Sequence, residues 1–412
     1  MKYLPRLVDG LLDRRMRHHP AVLLLGPRAT GKTTTAQRHA RTTIRLDQPA
    51  EAAIVRADPD AALRNRPEPI VVDEWQVVPE VLAAVKRAVD TDPRPGRFIV
   101  TGSVRGEMSS PTWPGTGRLL RIPMYGLTVG ELQRRIPPAP LLDRMTDGNL
   151  DELGTPENQS LDLRDYVELI AQSGFPEPAL RLPPSERDPW LSSYLEQLLT
   201  RDVVELSPRH DPQLLRRFVE AYAINTAGVV DRRTLEQAAG VAKATADRYE
   251  ELLTSLLVTE AMPAWWNNRL KRLTRSPKRY LVDASLALAA LRVDVDGLMR
   301  DADLLGRLLE TFVVAQLRAE LPRCESRPRL FHLRQEQGRR EIDVMVEYGA
   351  GRILGIEIKA TSAPTRDDAR HLAWLRQQLD DRFIGGILFH TGPRTFQLED
   401  RITAAPVRAV WA

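Results

Sequence analysis

Short apolar runs alternate with helical stretches from about residue 3 to 135. AVLLLG at 21–26, TTIRLDQ at 42–48, PIVVDE at 69–74 and RFIVTGS at 97–103 read as strands, and the segments between them as helices. That alternation predicts a parallel α/β sheet. Residues 143–162 are acidic, polar and without period, which predicts an exposed loop or linker. From 164 to 262 helical patterns dominate, with RLPPSERDP at 181–189 as a break. Beyond residue 300 the order changes again. A helix at 306–321 precedes strands at 329–333, 341–348 and 353–359, a helix at 370–379 and a last strand at 385–390, which predicts a second, smaller α/β unit.

The turn after the first apolar run carries the clearest chemistry. Gly26, Gly31, Lys32 and Thr33 fit G-x-x-x-x-G-K-[ST] between a strand and a helix. The segment Gly26, Pro27, Arg28, Ala29, Thr30, Gly31, Lys32, Thr33 and Thr34 is expected to wrap the phosphates of ATP with the backbone N–H groups of its non-proline residues. Lys32 would reach the β and γ oxygens, and the Thr33 hydroxyl would ligate Mg2+. The strand at 69–74 ends in two carboxylates, Asp73 for Mg2+ and Glu74 to polarise the attacking water. Ser103, at the end of the next strand, is a candidate sensor of the γ-phosphate, though the same residue suits an ordinary turn. Arg105 and Arg118 follow that strand, and Arg118 is the preferred arginine to face the developing charge.

These segments together resemble a group of bacterial and archaeal ATP-binding proteins that join an AAA-type ATPase domain to a C-terminal domain of uncharacterised function. The resemblance rests on GPRATGKTT, VVDEWQ, VTGS, the Gly117-Arg118 pair before YGLTVGEL, SGFPEPAL, WLSSYLEQLLTRDV, SPKRYLVDASL and GRLLETFVVAQL, and it ends in the EID and EIK segments. It implies an α/β chain with four units: an AAA-type P-loop ATPase at 1–142, a helical lid at 163–210, a winged-helix-like unit at 211–295 and a restriction-endonuclease-like unit at 296–412.

Two further constellations concern nucleic acid. Residues 232–257 have helix-turn-helix spacing around Gly240, which would present Lys243, Thr245 and Arg248 on the second helix. Next comes a stretch with Arg269, Lys271, Arg272, Arg275, Lys278 and Arg279 and with no acid between Glu260 and Asp283. Beside Trp265 and Trp266 it suits phosphate contact and base stacking; a solvated loop with two core tryptophans would read the same way. In the C-terminal unit, Asp343 on one strand and Glu357 and Lys359 on the next match the PD-(D/E)XK pattern. Glu310 from the preceding helix is a further carboxylate. In such a site Glu310, Asp343 and Glu357 would bind metal and Lys359 would orient water. A hairpin with solvent-facing charges is the alternative.

Composition narrows the classes. With 412 residues, 42% hydrophobic and 28% charged, the chain is long enough for several cores. No apolar run approaches the ~20 residues of a membrane span. The N-terminus lacks a secretory pattern, so a cytoplasmic protein without membrane partners is expected. A single cysteine, Cys324, leaves no internal disulfide or multi-cysteine zinc site. His332 and His390 lack metal-ligand spacing. The leading expectation is an ATP-hydrolysing AAA-type protein that couples nucleotide state to DNA or a nucleoprotein partner. A homo-oligomer follows if an arginine acts in trans. The alternatives are an ATP-gated metal-dependent nuclease and a non-enzymatic regulator or scaffold.

Overall fold

In the computed structural model, which describes residues 3–103, 116–153, 161–203, 210–230, 232–266, 275–335 and 338–412, all strands of the first sheet run parallel. They are β1 (Ala21–Leu25), β2 (Thr42–Arg45), β3 (Ile70–Asp73), β4 (Phe98–Gly102) and β5 (Leu119–Pro123), in the order β2-β3-β4-β1-β5. Every residue of β1, β3 and β4 is buried, because helices cover both faces. Alternate residues serve opposite cores: Ala21 and Leu23 pack with Val72 and Val100, while Val22 and Leu24 pack with Leu12 and Ile99. Parallel strands bring the loops after Leu25, Asp73 and Gly102 to one edge, where open α/β sheets hold ligands.

The stretch at 143–162 departs from the expected exposed linker. Its described part forms a helix, Leu141–Arg144, and a turn, Leu150–Leu153, with Leu142, Met145, Leu150 and Leu153 buried. The C-terminal unit covers it. Tyr348 Oη donates to the Leu142 carbonyl at 2.7 Å, Arg352 Nη1 donates to Thr146 O at 2.9 Å, and the backbone N–H of Glu325 donates to Asp143 Oδ2 at 2.8 Å. The expected break at RLPPSERDP is confined to residues 181–183, between the helices Pro176–Leu180 and Pro184–Gln197. The helix Pro184–Gln197 begins on Pro184 and carries Pro189 inside it. A first-turn N–H has no intrahelical partner, so proline costs little there.

The middle of the chain adds the helices Leu163–Gln172, Pro212–Ile224, Arg232–Ala239 and Lys243–Ser255. They lead into an antiparallel hairpin, β6 (Thr259–Met262) and β7 (Lys278–Leu281). A second sheet follows, with β8 (Arg329–Gln335), β9 (Arg340–Glu347), β10 (Ile353–Lys359), β11 (Phe383–His390), β12 (Phe396–Glu399) and β13 (Ile402–Pro406). Its order is β12-β13-β11-β10-β9-β8. The strand at 385–390 is therefore not the last, since β13 pairs with it in parallel and β12 closes the edge. The helix Arg370–Leu379 covers one face of this sheet. The helix Ala302–Glu320 lies in a core that runs without interruption from Val129 through the middle helices to Trp411. Among the described residues, no helix is long and apolar enough to cross a membrane.

Candidate functional site

The loop between β1 and the helix Lys32–Arg38 closes on itself. Gly31 has φ +91, a left-handed conformation open to glycine. A Cβ at Gly26 would stand 1.9 Å from the Met124 carbonyl oxygen, so the backbone approach behind the loop excludes any side chain. Lys32 is buried, and its Nζ donates to the carbonyls of Gly26 at 3.0 Å and Pro27 at 2.7 Å. Burial lowers its pKa to about 8, although Glu74 and Asp73 pull the other way. Arg6 braces the loop from behind, with Nη1 donating to Thr30 O at 2.8 Å and Nε paired to Glu131 at 3.0 Å.

The carboxylates from β3 come to the same place. Thr33 Oγ1 donates to Asp73 Oδ1 at 2.8 Å, and Thr101 Oγ1 donates to the same oxygen at 2.6 Å. Glu74 has φ 56, and its N–H donates to Thr101 Oγ1 at 3.1 Å. Ser103 is buried and hydrogen-bonded to Glu74 Oε2 at 3.4 Å, and Gln76 Nε2 donates both to Ser103 Oγ, at 3.1 Å, and to Glu74 Oε2. Thr33, Asp73, Glu74 and Ser103 thus converge. Thr101 and Gln76 were not expected; a hydroxyl at the end of a buried strand beside the β3 carboxylates was the available signal for Thr101.

A cleft of about 950 Å³ opens over this group. Arg28, Thr33, Asp73, Glu74 and Gln76 line one side, and Trp190, Tyr194 and Arg201 of the middle segment line the other. Arg28 Nη1 meets Asp202 Oδ1 at 2.6 Å across it, and Trp190 and Tyr194 stack with centroids 5.4 Å apart. The donor set suits a magnesium nucleotide: one buried amine, one hydroxyl and two carboxylates beside an open, arginine-lined space.

Arg118 is not part of this group. It precedes β5, whose first residue, Leu119, pairs with Ala21, so it lies at the opposite edge of the sheet from Gly26. Five residues of strand separate it from the loop edge, roughly 15 Å, and it is exposed and paired to Asp90 at 2.9 Å. Arg105 lies outside the described residues.

The expected basic surface divides. Lys243 and Arg248 are exposed on the helix Lys243–Ser255, after a turn in which Gly240 has φ +67. Arg269, Lys271 and Arg272 lie outside the described residues. Lys278 faces inward instead, 1% exposed, with Nζ 2.7 Å from Glu310 Oε1, 3.1 Å from Asp343 Oδ1 and 3.7 Å from Glu341 Oε1. β7 packs against the second sheet, and a buried ammonium needs carboxylate partners. Arg279 is likewise buried, paired to Glu250 at 2.7 Å, and Trp265 belongs to the core.

Asp343 and Glu357 lie on adjacent antiparallel strands, and the Ile358 N–H donates to Asp343 Oδ2 at 2.9 Å. Lys359 Nζ is 3.0 Å from Glu357 Oε2. Burial raises Glu310 and Glu357 to about 8, and Asp343 adds to both shifts. Burial also opposes the charge on Asp343, but Lys278 and Lys359 outweigh it and hold the group below the ordinary value. Among the described residues, no three acidic, histidine or cysteine groups are placed to hold a metal ion. Of the expected ligands, Glu310 and Asp343 meet around the amine of Lys278, and Glu357 pairs with Lys359 instead. His332 and His390 hydrogen-bond to the carbonyls of Ser276 and Arg394 and serve the packing.

Three family models match the chain: an AAA domain over residues 18–133, a domain of unknown function (DUF8612) over 163–297 and another (DUF4143) over 305–410. The chain is 28% identical over 400 residues to the uncharacterised proteins Mb2031c of Mycobacterium bovis and Rv2008c of Mycobacterium tuberculosis, which spans 96% of this chain and 82% of each relative. Similar solved structures include a Walker-type ATPase of Pyrococcus abyssi, at a TM-score of 0.43 and 14% identity over 69% of this chain and 94% of that one. The ORC1 protein of Aeropyrum pernix in complex with DNA matches at 0.28 and 13% over 69% and 90%.

Proposed function

With the chain established as an AAA-type protein carrying a C-terminal domain of uncharacterised function, we propose that it hydrolyses ATP in the cleft beneath Trp190 and Tyr194 and passes the nucleotide state to DNA or a nucleoprotein partner. The observation that carries the reading is the chain of hydrogen bonds from Thr33 to Asp73 to Thr101, at 2.8 and 2.6 Å, beside Lys32. With ATP bound, Lys32 would exchange its two carbonyl partners for phosphate oxygens, and Thr33 and Asp73 would hold Mg2+. The metal supplies screening of the phosphate charge. Glu74, tied to Ser103 and Gln76, orients the attacking water. Within one chain, Arg28 and Arg201 face the cleft with positive charge, whereas Arg118 reaches a nucleotide only from a neighbouring copy in a homo-oligomer.

The DNA half of the reading rests on Lys243 and Arg248, exposed on the second helix of a helix–turn–helix that β6 and β7 follow as a wing. The proposed units are 1–142, 163–210, 211–295 and 296–412, the third winged-helix-like and the last restriction-endonuclease-like in fold. The deciding measurement is phosphate release with Mg2+ and ATP, with and without DNA. Wild-type protein is expected to turn over, and Glu74→Gln to lose about 100-fold or more while still binding ATP. Absence of release from wild-type protein under both conditions removes hydrolysis and leaves a nucleotide-binding regulator.

A further inference from the structure

We propose that the edge of the first sheet opposite the phosphate loop is a docking surface for the sugar-phosphate backbone of duplex DNA, built from the turns that lead into β2, β3, β4 and β1. In a parallel sheet the segments before the strands come to one edge, so these four turns stand side by side over about 15 Å. Arg41 immediately precedes β2, Arg64 and Arg66 lie in the turn before β3, and Arg94 and Arg97 lie in the turn before β4. With Arg87 of the helix Val81–Thr91 they line a groove of about 700 Å³. The turn before β1 extends the row, since the Gly96 N–H donates to His19 O at 3.0 Å and Arg17 and His18 beside it are exposed.

The charges in the groove do not cancel. Among the described residues its carboxylates are Asp60, Glu68 and Asp92, and each already holds an arginine. Arg87 Nε donates to Asp60 at 3.0 Å, Arg97 Nε to Glu68 at 2.9 Å and Arg94 Nε to Asp92 at 2.8 Å. Arg41, Arg64 and Arg66, all exposed, are left in excess, and Arg66 is held in place by a 2.7 Å hydrogen bond from Nε to Ala62 O. Arginine is also the side chain whose planar fork meets phosphate oxygens in pairs. The rest of the lining selects a duplex over a single strand or a peptide. Phe98, its aromatic member, is 1% exposed, and Leu63 and Ala84 are buried as well, so the groove offers no ring to stack on a base and no apolar pocket for a peptide side chain. Over about 15 Å of axis one strand of a duplex carries about four phosphates, which suits the length of the row. β3 and β4 run from this edge to Asp73 and Gly102, so DNA at one end of the strands leaves the nucleotide cleft at the other end free. The proposal shares with the reading above only the class of partner, since it needs neither Lys243 and Arg248 nor hydrolysis.

The test is the salt dependence of duplex binding to the nucleotide-free full-length protein, read by fluorescence anisotropy, which does not depend on ATP turnover. Arg41→Gln combined with Arg64→Gln is expected to lower the slope of log affinity against log salt by about 2. Arg181→Gln combined with Arg300→Gln makes the same change of charge at exposed positions elsewhere and is expected to leave the slope as in wild type. The groove pair is expected to lower the slope equally in a protein that carries Lys243→Glu and Arg248→Glu. A fall there, with none from Lys243→Glu and Arg248→Glu alone, keeps the groove and removes that helix as the DNA contact. An unchanged slope for the groove pair, an equal fall for the control pair, or no duplex binding by wild type at low salt overturns the proposal. So does a single strand that binds as tightly as duplex and loses as much. Circular dichroism checks the fold, and if the groove pair does not fold, Arg17→Gln with Arg64→Gln takes its place with the same outcomes.

Discussion

Gly26 shows what a single position can demand. The peptide after β5 passes so near that an added Cβ would meet the Met124 oxygen at 1.9 Å, so Gly26→Ala must displace the phosphate loop or β5. Overpacking of this kind costs about 1–3 kcal/mol. The expected result is a lower unfolding midpoint together with at least ten-fold weaker binding of a fluorescent ATP analogue; unchanged affinity would show that the loop tolerates the shift. At this scale the phosphate loop was legible because its residues are neighbours in the chain and its geometry is local. Lys278 was not. Nothing in its surroundings from 275 to 281 distinguishes a phosphate contact from a buried partner of Glu310 and Asp343, since both partners arrive from other elements.

Among elements, β1 to β4 and β8 to β11 were readable as apolar runs, whereas β5, β12 and β13 are short or mixed in polarity and escaped notice. Missing β5 had a cost. A residue just before a parallel strand sits at the edge away from the loops, so recognising Leu119–Pro123 would have placed Arg118 far from the nucleotide. The turn and helices around Gly240 were legible from spacing, and they carry the next prediction. Reversing Lys243 and Arg248 to Glu leaves a folded protein, because both side chains are exposed. If they contact phosphate, the slope of log affinity for DNA against log salt falls by about 2 relative to wild type. An unchanged slope excludes this helix as a phosphate-binding surface.

For the whole molecule, the joints between units matter most. Glu320, 4% exposed, accepts a hydrogen bond from the Leu141 N–H at 2.9 Å and so ties the segment after the first sheet to the long C-terminal helix. Burial raises its pKa from 4.5 to about 7. The stabilisation tied to its proton is complete below the unfolded value and is lost as pH rises through the folded one, so the window runs from about 4.5 to 7. Glu320→Gln keeps the acceptor without the titration. Against wild type it should gain about 1–3 kcal/mol across that window in urea unfolding; a difference that does not vary with pH would show that Glu320 stays ionised. The segment at 143–153 was read as solvent-exposed because its buried side chains have no period until a partner surface supplies one. That same uninterrupted core has a consequence for inheritance. Tyr166 packs at 6.4 Å against Trp411, and Phe312 at 6.0 Å, so the middle helices and the chain's last turn share one interior. A recombination event that exchanged only the region after residue 296 between distant relatives would graft one half-core onto another. The middle helices and the region after residue 296 must therefore match each other in packing wherever either is exchanged.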